Sequence, residues 1–272
     1  MITLTPLKEF HTPIVAVCIN PDIFEGKSIS EIAELPVTEG NKKNRLGNLF
    51  KIDVDSAKTP NITVNANVSK VKRICMGMEK GEVVINGEAG MHLGEKMTGG
   101  KIVVNGNVSG WVGSAMKGGT IEIHGNAGDY LASPYRGSSV GMRGGEIVVD
   151  GNVGSDCACY MKGGVIKIRG NAGPFLGFHM SKGTIHVEKE CKTRVGTSMT
   201  GGKIVVSGFL EEVMPTFTVD AIKPKVKIDD KEKATGPFYV FIGDLAEHGS
   251  GKVYVSKATN PHLGPIYDKY LD

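Results

Sequence analysis

Apolar residues recur along this chain in short alternating bursts. Ile102/Val104, Ile121/Ile123, Ile147/Val149, Ile166/Ile168, Ile185/Val187 and Ile204/Val206 are pairs separated by one residue, with Lys101, Asn105, Glu122, Lys167 and Arg169 in the opposite phase. A period of two is that of a strand, whose successive side chains face opposite ways. Two further apolar columns keep the same spacing: Leu93, Val112, Leu131, Cys157, Leu176, Val195, and Ala89, Val108, Ala127, Val153, Ala172, Cys191. The interval is clearest in Met78, Met97, Met116, Met142, Met161, Met180 and Met199, where it is 19 residues at every step but one; from Met116 to Met142 it is 26. The seven extra residues are assigned to 132–138, as a loop extruded from one coil and projecting toward a neighbouring protein of an assembly.

Each period reads approximately Met-x-Gly-Gly-x-Ile-x-Val-x-Gly-Asn-Val-Gly. Strands this short do not make a self-standing hairpin sheet, and a sandwich would repeat its turns at about 8 to 12 residues without identity of residue type. The pattern therefore predicts an all-β fold, a single-stranded parallel β-solenoid (β-helix) with 19-residue coils stacked about 4.8 Å apart. Gly106, Gly125, Gly151, Gly170 and Gly208 mark corners, expected to need positive φ. The following Asn107, Asn126, Asn152 and Asn171 are expected to stack as an amide ladder. Ile62-x-Val64-x-Ala66-Asn67-Val68 echoes Val83-x-Ile85-x-Gly87-Glu88-Ala89 at an offset of 21 and predicts an earlier coil. The organisation expected is an N-terminal cap over 1–58, the repeats over 59–208 and a C-terminal cap over 209–272, because the open ends of stacked strands need covering. Residues 28–35 suggest a short helix, 238–242 a strand, and the charged stretch 223–233 a solvated loop.

Composition narrows the function classes. The 38 Gly lack the three-residue period of collagen, and a net charge of +3 is too mild for a nucleic-acid binder. No apolar run is long enough to insert in a membrane, and residues 1–13 lack the pattern of a secretory signal, so a cytoplasmic location is expected. The five Cys include no CxxC pair, and Cys157 and Cys191 fall in core columns, as structural thiols do. No phosphate-binding loop, zinc-binding helix or serine elbow occurs, so no catalytic residue and no metal ligand is assigned to this chain.

Two surfaces stand out. Val84, Val103, Val148 and Val205 occupy outward strand positions, and His92, Trp111, Tyr130, Asp156 and Phe175 share another phase. Stacked, they make stripes that mark an interface, with Trp111 and Tyr130 as anchors and Tyr135 and Arg136 added from the inserted loop. Lys117, Arg143 and Lys162 follow the column Met on successive coils and are expected to form a row of cations, which an anion would relieve.

The repeat, together with the opening Pro21-Asp22-Ile23-Phe24-Glu25-Gly26-Lys27-Ser28 and the closing Gly243-Asp244-Leu245-Ala246-Glu247 and Asn260-Pro261-His262-Leu263-Gly264, resembles the C subunit of formylmethanofuran dehydrogenase, over essentially the whole chain. The resemblance implies a non-catalytic scaffold in an archaeal oxidoreductase complex that begins methanogenesis by placing CO2 on methanofuran as a formyl group. It implies partners: an amidohydrolase-like subunit with a dinuclear metal site, and a subunit with a molybdenum or tungsten pterin and iron–sulfur clusters, with no cofactor in this chain. It also implies that Lys117, Arg143 and Lys162 hold the carboxylate-bearing tail of methanofuran. Two alternatives share the repeat: the C subunit of a bacterial formyltransferase/hydrolase complex, and the Gly-rich amide-transfer domain of glutamate synthase, which would come with a fused glutaminase or flavin domain.

Overall fold

The computed structural model describes residues 1–55 and 61–271; the expected boundary between 58 and 59 lies outside them. The N-terminal strands are β1 (Ile2–Pro6), β2 (Ile14–Val15), β3 (Pro36–Glu39), β4 (Lys42–Arg45) and β5 (Phe50–Val54). The repeat region supplies β6 (Ile62–Val64), β7 (Val71–Lys72), β8 (Glu82–Ile85), β9 (Lys101–Val104), β10 (Thr120–Ile123), β11 (Glu146–Val149), β12 (Lys162–Ile168), β13 (Lys182–Val187) and β14 (Lys203–Val206). The chain closes with β15 (Thr218–Lys227), β16 (Lys233–Gly243) and β17 (Gly251–Ser256). Helix is confined to short pieces, among them α1 (Pro21–Phe24) and α2 (Ile29–Ala33), the latter opened by a capping box between Ser28 and Glu31.

A 13-stranded sheet runs β15-β16-β17-β14-β13-β12-β11-β10-β9-β8-β6-β1-β5, and its pairs from β17 through β14 back to β1 are all parallel. The register carries the sequence period directly: Ile102 pairs with Ile121, Ile121 with Ile147, and Ile147 with Ile166. Ile62 pairs with Val83, so the 21-residue echo is a real coil. A second wall is a line of parallel bridges from Val68 through Ala89, Val108, Ala127, Val153, Ala172 and Cys191 to Leu210. Between the walls, the Ile/Val pairs, the Leu/Val column and all seven column Met are buried.

The glycines divide by cause. Gly119 and Gly145 have φ of +87° and +89°, and a Cβ there would also stand 2.6 Å from Cε of Met97 and Met116 respectively. Each column Met thus fills the space that the glycine of the next coil leaves open, which explains why Met and Gly-Gly recur together. The corner glycines do not have the positive φ expected of them. At Gly125 and Gly170 a Cβ would stand 2.6 and 2.3 Å from backbone of the preceding coil, so close stacking excludes a side chain. The Asn ladder forms through the main chain: Oδ1 of Asn107, Asn126 and Asn152 accepts from the backbone N–H of Asn126, Asn152 and Asn171 at 2.7–2.8 Å.

Both ends of the large sheet are covered by the chain itself. At one end β1 pairs parallel with β6 and antiparallel with β5; at the other β17 pairs parallel with β14 and antiparallel with β16. The stretch 223–233 is no solvated loop: its ends belong to β15 and β16, which form an antiparallel hairpin. That hairpin reaches back over the outward face of the repeats.

Candidate functional site

The outward row of the large sheet runs, by register, Val84, Val103, Glu122, Val148, Lys167, His186, Val205, Tyr254. Val84, Val103 and Val148 are half-buried, as expected of a partly open stripe. Val205 is not on the surface: it is fully buried in a second small core with Val226, Ile228, Ala234 and Phe238 of the hairpin. Beside that core, Lys167 Nζ lies 2.5 Å from Asp229, 2.9 Å from Glu146 and 3.1 Å from Glu232. Desolvation pulls the Lys167 ammonium down, but the hydrogen bonds to Asp229, Glu146 and Glu232 outweigh it and its pKa lies above the usual lysine value. The Lys167 hydrogen bond holds Asp229 down at about 2. His186 is pushed below its usual value by burial, against the opposing pull of Glu232, whose Oε1 is 3.3 Å from Nδ1. Nothing local in the sequence pairs Lys167 with acids some sixty residues away on a stretch expected to be loop.

The second stripe has an unusual backbone. His92, Trp111, Tyr130, Asp156 and Phe175 are all left-handed, with φ between 57° and 63°. This conformation costs a non-glycine residue about 1 kcal/mol or more. Each backbone N–H in the column donates to the next coil, as from Trp111 to Asp129 O at 3.0 Å and from Tyr130 to Ser155 O at 2.9 Å. The side chains stack in turn: the His92 and Trp111 rings lie 5.5 Å apart, and Trp111 and Tyr130 4.6 Å apart, both pairs within 12° of parallel. His92, expected at the surface, is buried.

The inserted loop does not simply project. Ala132 takes the buried place of Gly113 and Ala158 in neighbouring coils, accepting from Met142 N as those accept from Met116 and Met161. Ser133 N donates to Tyr130 O as Ser114 N does to Trp111 O, so the regular coil runs through Ser133 and the extra residues are 134–140 rather than 132–138. Ser133 is itself buried, donating to Asp156 O and accepting from Cys159 N. From this anchor the segment arches back along the ladder, and the Tyr135 ring packs 5.4 Å from His92 and 5.9 Å from Trp111. Under the arch a cavity of about 430 Å3 is lined by Trp111, Tyr130, Tyr135, Arg136, Asp156 and Tyr160, among others. Phe175 lies apart from it, under the Arg194 guanidinium at 5.3 Å.

Lys117, Arg143 and Lys162 are exposed, and their backbones stack: Lys117 N donates to Met97 O, Arg143 N to Met116 O and Lys162 N to Met142 O. The register adds Lys182, opposite Lys162, which the Met spacing alone does not align. All five cysteines are free and buried. Burial pushes the Cys159 thiol up to about 12 and Cys157 well above its usual value, which leaves neither a thiolate nucleophile at neutral pH. Among the described residues, no group of three or more His, Cys, Asp or Glu could hold a metal ion, and no helix is long and apolar enough to cross a membrane.

These features define the chain's class: an all-β repeat protein whose stacked coils present ladders of like residues on their outer faces. No family model matches it. It is 47% identical, over 94% of its own length and 96% of the relative's, to the C subunit of the tungsten-containing formylmethanofuran dehydrogenase 2 of Methanococcus maripaludis. A shorter stretch is 43% identical to the C subunit of the molybdenum-containing formylmethanofuran dehydrogenase 1 of Methanothermobacter marburgensis, covering 34% of this chain and only 23% of that one. A chain of the Methylorubrum extorquens formyltransferase/hydrolase complex (FhcABCD), solved in complex with methylofuran, superposes with a TM-score of 0.85 at 25% identity, over 93% of this chain and 99% of that one. The chain belongs to the family of formylmethanofuran dehydrogenase C subunits.

Proposed function

We propose that this chain is the docking scaffold of a formylmethanofuran dehydrogenase complex: a parallel β-solenoid of 19-residue coils, capped by 1–58 and 209–272, that holds catalytic partner subunits. The observation that carries the reading is the full-length similarity to a C subunit of that enzyme, supported by a structural neighbour that belongs to a complex of several proteins. The chemistry would lie with an amidohydrolase-like partner carrying a dinuclear metal site and with a partner carrying the molybdenum or tungsten pterin and iron–sulfur clusters, in the cytoplasm of an archaeon making methane from CO2. The open stripe of Val84, Val103 and Val148, and the arch with Trp111, Tyr130, Tyr135 and Arg136, are the docking surfaces; Phe175 extends the second. Purification of the complex with all three valines changed to Asp, followed by native mass spectrometry, tests this. Loss of partner subunits with an unchanged melting temperature of the isolated chain is expected; an intact complex would exclude the stripe as an interface.

The exposed row of Lys117, Arg143 and Lys162 is the proposed anchor for the anionic tail of methanofuran. Changing all three to Gln should raise KM for methanofuran, most at low ionic strength, in a complex of unchanged composition. An unaltered KM would leave the row as solvated surface. A second reading, a formyl-handling complex without CO2 reduction, is favoured by the structural neighbour. Molybdenum or tungsten in the purified complex separates the two.

A further inference from the structure

On the other side of the arch lies a second cavity, of about 370 Å3, lined by Lys72, Arg73, His92, Trp111, Tyr135 and Arg136. Its volume is within the range of small-molecule sites, roughly 300–1,000 Å3. The wall carries three permanent cations. The nearby carboxylate, Glu95, is buried and already engaged, 2.9 Å from Arg73 Nη1 and 3.3 Å from His92 Nδ1. The side chains of Lys72 and Arg136 make no ion pair or hydrogen bond among the described residues, although the Lys72 carbonyl accepts from Ala16 N. The indole Nε1–H of Trp111 is buried without an acceptor.

Cations that line one concavity repel, and an anion bound between them relieves that repulsion. Lys72 and Arg136 come from segments far apart in sequence, the first from β7 in an early coil and the second from the arch. Their meeting is therefore a product of the arch folding back over the ladder, which Tyr135 fixes by packing on His92 and Trp111. A guanidinium without a partner is suited to a carboxylate through two parallel hydrogen bonds.

We propose that this cavity is an anion site for a multiply charged carboxylate, held by Lys72 and Arg136 on an aromatic floor, with Arg73 contributing through its residual field. The carboxylates come either from a free small polycarboxylate or from acidic side chains of a partner protein. The site is separate from the Lys117 row but shares Trp111, Tyr135 and Arg136 with the docking arch proposed above, so assignment to a partner's acids rests on that reading, whereas citrate binding to the isolated chain does not.

Trp111 is the single tryptophan of the chain, so its emission reports on the cavity directly. Citrate titrated into the purified full chain at low ionic strength, against chloride at matched ionic strength, is expected to give a saturable change in emission. Arg136→Gln and Lys72→Gln should each raise the Kd for citrate at least tenfold, while Lys162→Gln on the exposed row leaves it unchanged; melting temperatures confirm that all variants are folded. Absence of a saturable change, or an equal Kd in all three variants, overturns the proposal. Citrate binding that persists in the assembled complex assigns the site to a free ligand. Exclusion of citrate there, with partner proteins shed by Arg136→Gln, assigns it to a partner's acidic side chains.

Discussion

One outward row of one sheet meets two fates in this molecule. At Val84, Val103 and Val148 the row is half-buried and open, whereas at Lys167, His186, Val205 and Tyr254 the hairpin of β15 and β16 lies across it. The strands beneath, from β8 to β14, are the same repeat in the same register, which β17 continues. The difference lies in what covers them, and the chain's own cover over Val205 shows what a partner on the open half must supply: apolar side chains over the valines.

The covered half should be far more sensitive to truncation than the open half. Phe238→Ala, at the centre of the small core, is expected to cost the isolated chain about 3–5 kcal/mol, and Val205→Ala about 2 kcal/mol, whereas Val148→Ala should stay within about 0.5 kcal/mol. Denaturant unfolding of the three variants checks this, and equal losses at Val205 and Val148 would break the comparison. An intermediate effect is expected from Lys167→Ala, which leaves Glu146, Asp229 and Glu232 facing one another. About 1–2 kcal/mol is expected, below the cost at a dry site, because Glu146 and Glu232 are 35% and 38% exposed. Restored stability in a Lys167→Ala, Glu232→Gln double variant would sharpen the assignment, and its absence would contradict it.

The smallest effect is the pH dependence of the hairpin's attachment. His186 titrates lower in the folded chain than in the unfolded one, so the unfolded state binds more protons as pH falls below about 6.5, and stability drops there. Asp229 is also depressed, to about 2; its contribution is complete above the unfolded carboxylate value near 4 and is lost as pH falls toward 2. Amide-exchange protection in β15, corrected for the intrinsic pH dependence of exchange, should therefore fall on acidification before that in β9 and β10, and a simultaneous fall would show that hairpin and coils open as one unit.

Much of this was legible in the chain because a repeat states its own register. The Met column, the inward Ile/Val pairs and the bridge column are periodic in sequence, and they pair in the structure with that period. Even the weaker first coil followed from an echo of residue types. The function of each glycine was not legible, since positive φ at Gly145 and close backbone approach at Gly170 demand the same residue for different reasons. Nor was the course of the insertion, which has no repeat to align with and is placed by Ser133 and Tyr135.

The sequence by itself therefore determined the local strands, the spacing that stacks them and the columns that fill the core, because each depends on residues near in sequence or equivalent by period. Only the tertiary structure decided which outward residues stay open. Covering Val205 and Lys167 takes a hairpin from outside the repeat, and bringing Lys72 to Arg136 takes an arch folded across several coils. Such encounters join single residues that no period relates, so their contact energy appears only once the chain has closed on itself.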